Sequence, residues 1–443
     1  MFYPSKLPTY TLSAAAAAEV LMIRSSSRLC LIVSSLVFAF WASSDSNAQD
    51  WTRFHGPNGS GYIADGKIPD SWTADDEAWS AELPGGGISS PVAWGDKVFL
   101  LAADPKTAVR HVLAYQLSSG KQLWDKTFDS VPHHLHKRNR FAASTPCCDE
   151  KFVYVAWSEP QHTTVSCLTH DGDLVWQRDL GRWQSQHGFA TSPMLYEDFV
   201  IVFDSQQARQ LKPGETAGES KMVALNRQTG QMVWETPLET TNVCYGTPCV
   251  YQPAGGAAQL VDANTGNGLF GLDPKTGKML WNLKVFRSRC CSSPVVAGDL
   301  VLGSAGSGGG GNHLVAVRPG EEPTEAYRVE RGAPYVPTSV VVGDMAFLCG
   351  DNGVATCIDV KSGEPHWTRR IGGTISSSPI VVGDKLLTID MDGKATVLRA
   401  GKKFEKLGTA DLHGNVQATP AYTQGYLLLR SENRLTAIGP KRL

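Results

Sequence analysis

The chain has no surplus of charge of either sign, no membrane-length apolar run in its body and no helical heptad. Across 443 residues, Lys+Arg number 41 and Asp+Glu 43, a formal net charge of −2. A nucleic-acid binder usually carries a basic excess, so nucleic acid is not an expected partner. After position 48 no apolar stretch approaches the roughly 20 residues that a spanning helix needs. Gly-x-Ser-x-Gly, HExxH and EF-hand patterns are missing. Gly308–Gly311 has no Lys-Ser/Thr behind it and reads as a flexible turn between strands rather than a phosphate loop. What the chain does have is glycine (44), proline (25) and 42% hydrophobic residues against 19% charged. That mixture can bury a sizeable core, and it favours many short strands joined by turns.

The first segment reads as an address. Arg24 and Arg28 precede an apolar run of 13 residues, Leu29–Trp41, and Ser46-Asn47-Ala48 supplies small residues for cleavage before Gln49. Residues 1–48 are therefore expected to be a signal peptide, with Met22 the expected true start. Cys30 opens the apolar run instead of following it, which argues against a lipoprotein. The mature protein is expected to be exported to the periplasm or cell envelope, with no transmembrane segment after cleavage.

Self-similarity dominates the rest. Eight dipeptides, mostly a hydroxylated residue before proline, recur: Ser90-Pro91, Thr145-Pro146, Ser192-Pro193, Thr247-Pro248, Ser293-Pro294, Val336-Pro337, Ser378-Pro379 and Thr419-Pro420. The proline spacings run from 41 to 55 residues. Most are followed by an apolar run, a Gly-Asp or Glu-Asp turn and a second apolar run, as in "PVAWGDKVFLL" and "PIVVGDKLLTI", the pattern of a β-hairpin. A second signature, Gly-x-x-x-Trp, closes the units at Trp124, Trp176, Trp234, Trp281 and Trp367. These tryptophans are expected to dock neighbouring units, with Tyr327 and Phe404 standing in for them in units five and seven. Four strands per unit is the size of a propeller blade. The eighth unit ends near Gly439 without a fourth strand. Trp79, however, lies twelve residues before Pro91, as Trp367 lies twelve before Pro379. Residues near Glu77–Leu83 are thus expected to complete the last blade. The reading is all-β: a single eight-bladed propeller over residues 77–443, preceded by a capping segment over 49–76 and expected to be monomeric. Trp51, Phe54 and Trp72 are expected to cap one face of the ring.

Over about residues 50–443 these repeats resemble the pyrroloquinoline quinone (PQQ) repeat superfamily. It includes quinoprotein alcohol dehydrogenases and the BamB outer-membrane assembly lipoproteins. The opening "WTRFHGPNGSGY" is similar to the start of exported members. The resemblance implies two roles: a non-catalytic binding or scaffolding module, or a PQQ-dependent alcohol or sugar dehydrogenase. The second would need a quinone in the axial channel, Ca²⁺ held by carboxylates and amides, and an aspartate base. Asp204 and Asp262 are the candidate acids, though nothing around them singles them out.

In a propeller the loops leading into the inner strands share one face. Here they carry His133, His134, His136, Lys137, Arg138 and Arg140, then Arg182 and His187, Asn242 and Tyr245, Arg287 and Arg289, Arg331 and Tyr335, Arg369 and Arg370, and His413, Asn415 and Gln417. Either these are ordinary solvated loops, or they gather at one mouth that holds an anion. The candidate ligand residues are Arg138, Arg140, His187, Tyr245, Arg289, Tyr335 and Asn415. The expected partner is an envelope protein, a polysaccharide or a small anionic ligand. No metal site is expected from the clustered histidines, because ligands normally come from separated, fixed positions.

Beyond Cys30 nine cysteines remain, an odd count for an exported protein. Cys147-Cys148 and Cys290-Cys291 are vicinal pairs. Cys244 and Cys290 hold the same repeat position and are candidates to face each other across blades. Cys349 and Cys357 flank a hairpin and are candidates to bridge it. Cys147-Cys148-Asp149 resembles the segment of PQQ alcohol dehydrogenases in which a vicinal disulfide stacks on the quinone. The chain departs from that family at Glu150-Lys151-Phe152, so the preferred reading is two buried thiols acting as small apolar groups. The non-catalytic role is the one this sequence favours, without a cofactor.

Overall fold

The structure, a computed structural model, describes residues 50–440; the signal-peptide reading lies outside them. Strands pair into eight sheets, one per repeat. Blade 1 runs Val92–Trp94, Lys97–Ala103, Arg110–Gln116 and Gln122–Phe128 from axis to rim, each antiparallel to the next. The two middle strands are buried almost throughout because a neighbouring blade covers each face, so they read as unbroken apolar runs. The rim strand alternates instead. In Leu174–Asp179 only Trp176 is buried.

Those rim tryptophans hold blade to blade. Trp176 lies against the hairpin of the next blade, where its Nε1–H donates to Arg227 O (2.9 Å). Gly230 in that hairpin sits at φ +68°, and a Cβ there would stand 2.6 Å from the indole, so only glycine admits both the turn and the ring. Trp79, Trp124, Trp234 and Trp367 make the same bond to carbonyls of the following blade. Trp281 instead donates within its own blade, to Gln259 Oε1. Tyr327 does take the indole's place, packed over Gly363.

Three expectations are corrected. In blade 7 it is Gly408 that pairs with Val397 where other blades pair a small residue with tryptophan. Phe404 lies in the preceding turn, edge-on to Trp367. The space over Gly408 is filled from the N-terminal side, with Asp70 O only 2.2 Å from where a Cβ would stand. Trp72, two residues on, is buried in the core shared by blades 7, 8 and 1 rather than capping a face. In blade 6 the repeat is displaced by two residues. The inner strand is Val340–Val342, so Thr338-Ser339, not Val336-Pro337, stands where the other blades have hydroxyl-proline.

That register creates a belt around the axis. At seven of the eight junctions the backbone N–H of the hydroxylated residue donates to the side-chain oxygen of the next blade: Ser90 to Thr145, Thr145 to Ser192, Thr247 to Ser293, Ser293 to Thr338, Thr338 to Ser378, Ser378 to Thr419 and Thr419 back to Ser90, at 2.9–3.1 Å. All these residues are buried, which makes each bond more costly to lose.

Closure is as expected. Glu77–Glu82 pairs antiparallel with Arg434–Ile438 and completes blade 8, placing Trp79 over blade 1. The seam also carries Arg430, fully buried, which donates to Ser89 O and Leu101 O of blade 1. The segment before the strand crosses the far end of the axis. Ala93 and Cys148 donate to Trp51 O and Thr52 O, Arg53 donates to Pro248 O, and Tyr62–Ile63 pairs parallel with the inner strand of blade 7. Trp51 is fully buried beneath it. Among the described residues no helix is long and apolar enough to cross a membrane.

Candidate functional site

The hydroxyl belt is the throat of a funnel. Above it, the loops leading into the inner strands spread into a cavity of about 820 Å³. Below it, Phe54 of the crossing segment reaches the cavity as its floor. The inner strands start at the mouth and run toward that crossing segment, so one end of the axis is open and the other covered.

Among the candidate ligand residues, Arg138, His187, Tyr245, Arg289 and Tyr335 line the funnel. Arg289 is anchored by Nε donating to Val243 O (2.8 Å), which leaves its terminal nitrogens toward the cavity and Tyr335. His187 lies edge-on to His136, with ring centroids 4.7 Å apart. Burial first, then Arg289 and His136, hold its pKa down to about 4. It is therefore a neutral imidazole at pH 7. Lys137, Arg287 and Gln417, which the loop sequences also carry, reach the same cavity. No Asp or Glu side chain is among its lining residues.

Arg140 and Asn415 do not line it. Arg140 is drawn aside by Glu432 of blade 8, bound through Nε at 2.6 Å. Asn415 spends its amide on Met391 O and on Gln417. Arg370 is likewise turned to Asn352 O, and Arg369 lies over the Phe404 ring. Two contributors were missed in the sequence, Gln210 and the Gly306–Gly308 turn. Both belong to loops joining second and third strands, which open on the same face as the loops that lead in.

The thiols divide between the two ends. Cys147 and Cys148 are buried against the crossing segment, around a cavity of about 260 Å³ shared with Arg53 and Met194. Burial pushes both thiols up, so neither is a ready nucleophile. Cys291 lines the funnel, while Cys244 and Cys290 lie in its wall with the Cys290 N–H on Cys244 Sγ (3.4 Å). Cys349 and Cys357 do not oppose each other across their hairpin: the register pairs Cys349 with Ala355 and Cys357 with Phe347. In this structure none of the nine described cysteines is bridged to another.

This donor set does not fit a Ca²⁺–quinone centre. Calcium sites draw on carboxylates together with carbonyl oxygens, and the funnel's amides stand among cations with no carboxylate in the lining. Asp204 is buried beside Gln206, its pKa raised by burial to about 7, and Asp262 is buried beneath Gly246; neither lines the cavity. The Cys147-Cys148 pair, which would have to face a quinone, lies at the covered end.

Comparison with known proteins gives a consistent picture. The model of the family described as outer membrane protein assembly factor BamB matches residues 70–251 and 328–442. The protein of that name from Yersinia pestis is 26% identical over 283 residues, 58% of this chain and 64% of its own length. The one from Burkholderia pseudomallei is 30% identical over 103 residues, 23% of this chain and 26% of its own. The chain thus spans less than two thirds of either relative. Among solved structures, BamB from Moraxella catarrhalis superposes with a TM-score of 0.58 at 15% identity, covering 83% of this chain and 98% of that one. A europium-containing methanol dehydrogenase gives 0.64 at 12%, covering 89% and 91%. At such identities the two likenesses show the fold alone. The blades, the rim tryptophans and the sequence match together place this chain in the BamB family of PQQ-repeat β-propellers.

Proposed function

We propose that the protein is an exported, non-catalytic binding module of the cell envelope, whose funnel receives an acidic segment of an envelope protein. The observation that carries this is the lining: Lys137, Arg138, Arg287 and Arg289 converge on one cavity that no carboxylate lines. In a chain of net charge −2, that local excess attracts anions and is felt most strongly inside a partly enclosed space. Arginine forks bind carboxylates by paired hydrogen bonds, and the hydroxyl belt offers further donors at the throat. That the relatives are named as outer-membrane-protein assembly factors supports a protein partner over a polysaccharide or a free anion.

Calorimetric titration with hexaglutamate tests the reading. Arg138→Ala combined with Arg287→Ala should weaken binding at least about tenfold, since each charged hydrogen bond contributes about 1.5–3 kcal/mol. Affinity should also fall as salt rises. Undiminished binding by the double variant, or tighter binding to a neutral oligosaccharide than to hexaglutamate, would overturn it.

A further inference from the structure

Two stretches of the funnel wall are laid side by side by three contacts. Arg289 Nε donates to Val243 O (2.8 Å), the Cys290 N–H donates to Cys244 Sγ (3.4 Å), and the Tyr245 N–H donates to Cys290 O (2.9 Å). Cys244 lies in the loop leading into blade 4 and Cys290 in the loop leading into blade 5, both fully buried. Their neighbours Tyr245, Arg289 and Cys291 line the funnel. From this geometry we infer that Cys244 and Cys290 form a disulfide in the exported protein, bracing the wall that presents Tyr245 and Arg289 to the ligand.

The contacts already align the backbones of the two loops and set one sulfur against the other residue, as a bridged pair requires. The two thiols are also unequal. Burial raises the Cys244 thiol, but hydrogen bonds from the Cys290 side chain and backbone, with the Arg289 charge, outweigh it and leave Cys244 below the ordinary range. Burial drives Cys290 well above it. As the chain folds and before the loops are buried, the Cys244 thiolate attacks the disulfide of an external oxidant of the glutathione-disulfide class, forming a mixed disulfide and releasing one thiolate. That thiolate takes the Cys290 proton. Cys290 sulfur then attacks Cys244 sulfur and expels the second thiolate, which takes up a proton from water. Two protein thiols become one disulfide and one oxidant disulfide becomes two thiols. The vicinal Cys290-Cys291 pair is a poorer match, because Cys291 faces the cavity while Cys290 faces Cys244.

The test is refolding of the full chain in a mixture of reduced and oxidised glutathione, followed by alkylation with N-ethylmaleimide and peptide mass mapping. The expected result is a Cys244–Cys290 cross-link with Cys291 alkylated, and in Cys244→Ser an alkylated Cys290. Alkylation of both Cys244 and Cys290, or a Cys290–Cys291 bridge, would overturn the inference. The bracing role rests on the anion reading of the funnel and is measured separately, by hexaglutamate titration of oxidised and reduced protein. The oxidised form should bind at least about threefold tighter. Equal affinity removes the brace. No binding by either form removes the anion reading and the brace with it, while the mass map still decides the bond.

Discussion

His187 shows how burial and neighbouring charge set one residue's behaviour. Its folded pKa is held at about 4, against an ordinary value of 6.5. Between those two pH values the unfolded chain binds a proton at this position and the folded chain does not. Stability should therefore fall as pH drops from about 6.5 toward about 4, and the contribution should level off below that. Urea midpoints at pH 7, 5.5 and 4.5 measure this, and His187→Gln should decline less steeply than the parent. Parallel curves for the two proteins would assign the fall to other groups. The sequence offers His187 as a polar loop residue, but its lowered pKa depends first on burial and then on Arg289 and His136, all of which only the closed ring supplies. Arg140 is the opposite case. It sits in the most basic loop of the chain, yet Glu432, 292 positions away, takes its guanidinium. Loop composition therefore reveals that arginines gather at a mouth, not which of them face inward.

At the scale of strands and blades, legibility followed from repetition. A residue that does the same job in each blade recurs at the same spacing, and the tryptophan-over-glycine contact was readable for that reason. The exceptions were not readable, because each is made good by something distant in the chain. Gly408 leaves an opening that Asp70 and Ser71 fill from the N-terminal side, with Trp72 next to them buried in the core. Val336-Pro337 imitates the repeat two residues ahead of the real position, Thr338-Ser339, and only strand register separates them. The filled opening has a measurable weight. Trp72→Ala should cost about 3 kcal/mol in urea unfolding, the usual range for removing a buried tryptophan. A loss below about 1 kcal/mol would show that the segment merely rests on blade 7.

For the molecule as a whole, ring closure depends on one strand from the start of the propeller. A chain begun at Leu83 would lack Glu77–Glu82 and leave the Arg434–Ile438 strand as an unpaired edge. It should self-associate, seen as a concentration-dependent mass in light scattering, whereas the full chain should stay monomeric. A monodisperse truncated chain would show that blade 8 closes without its fourth strand. Closure was legible in the sequence because Trp79 keeps the repeat's own distance from Pro91. The sequence offered residues 49–76 and Phe54 as a cap on one face but not which face, because nothing in twenty-odd non-repeating residues encodes which end of a channel they will cover. The belt of backbone donors and hydroxyl acceptors adds one more property. Every bond in it points the same way round, so at seven of the eight junctions a sheet offers its successor the same half of a pair. A repeat duplicated within that run would find its match on both sides, and the circumference of the protein is then something that gene duplication can alter without redesigning the belt.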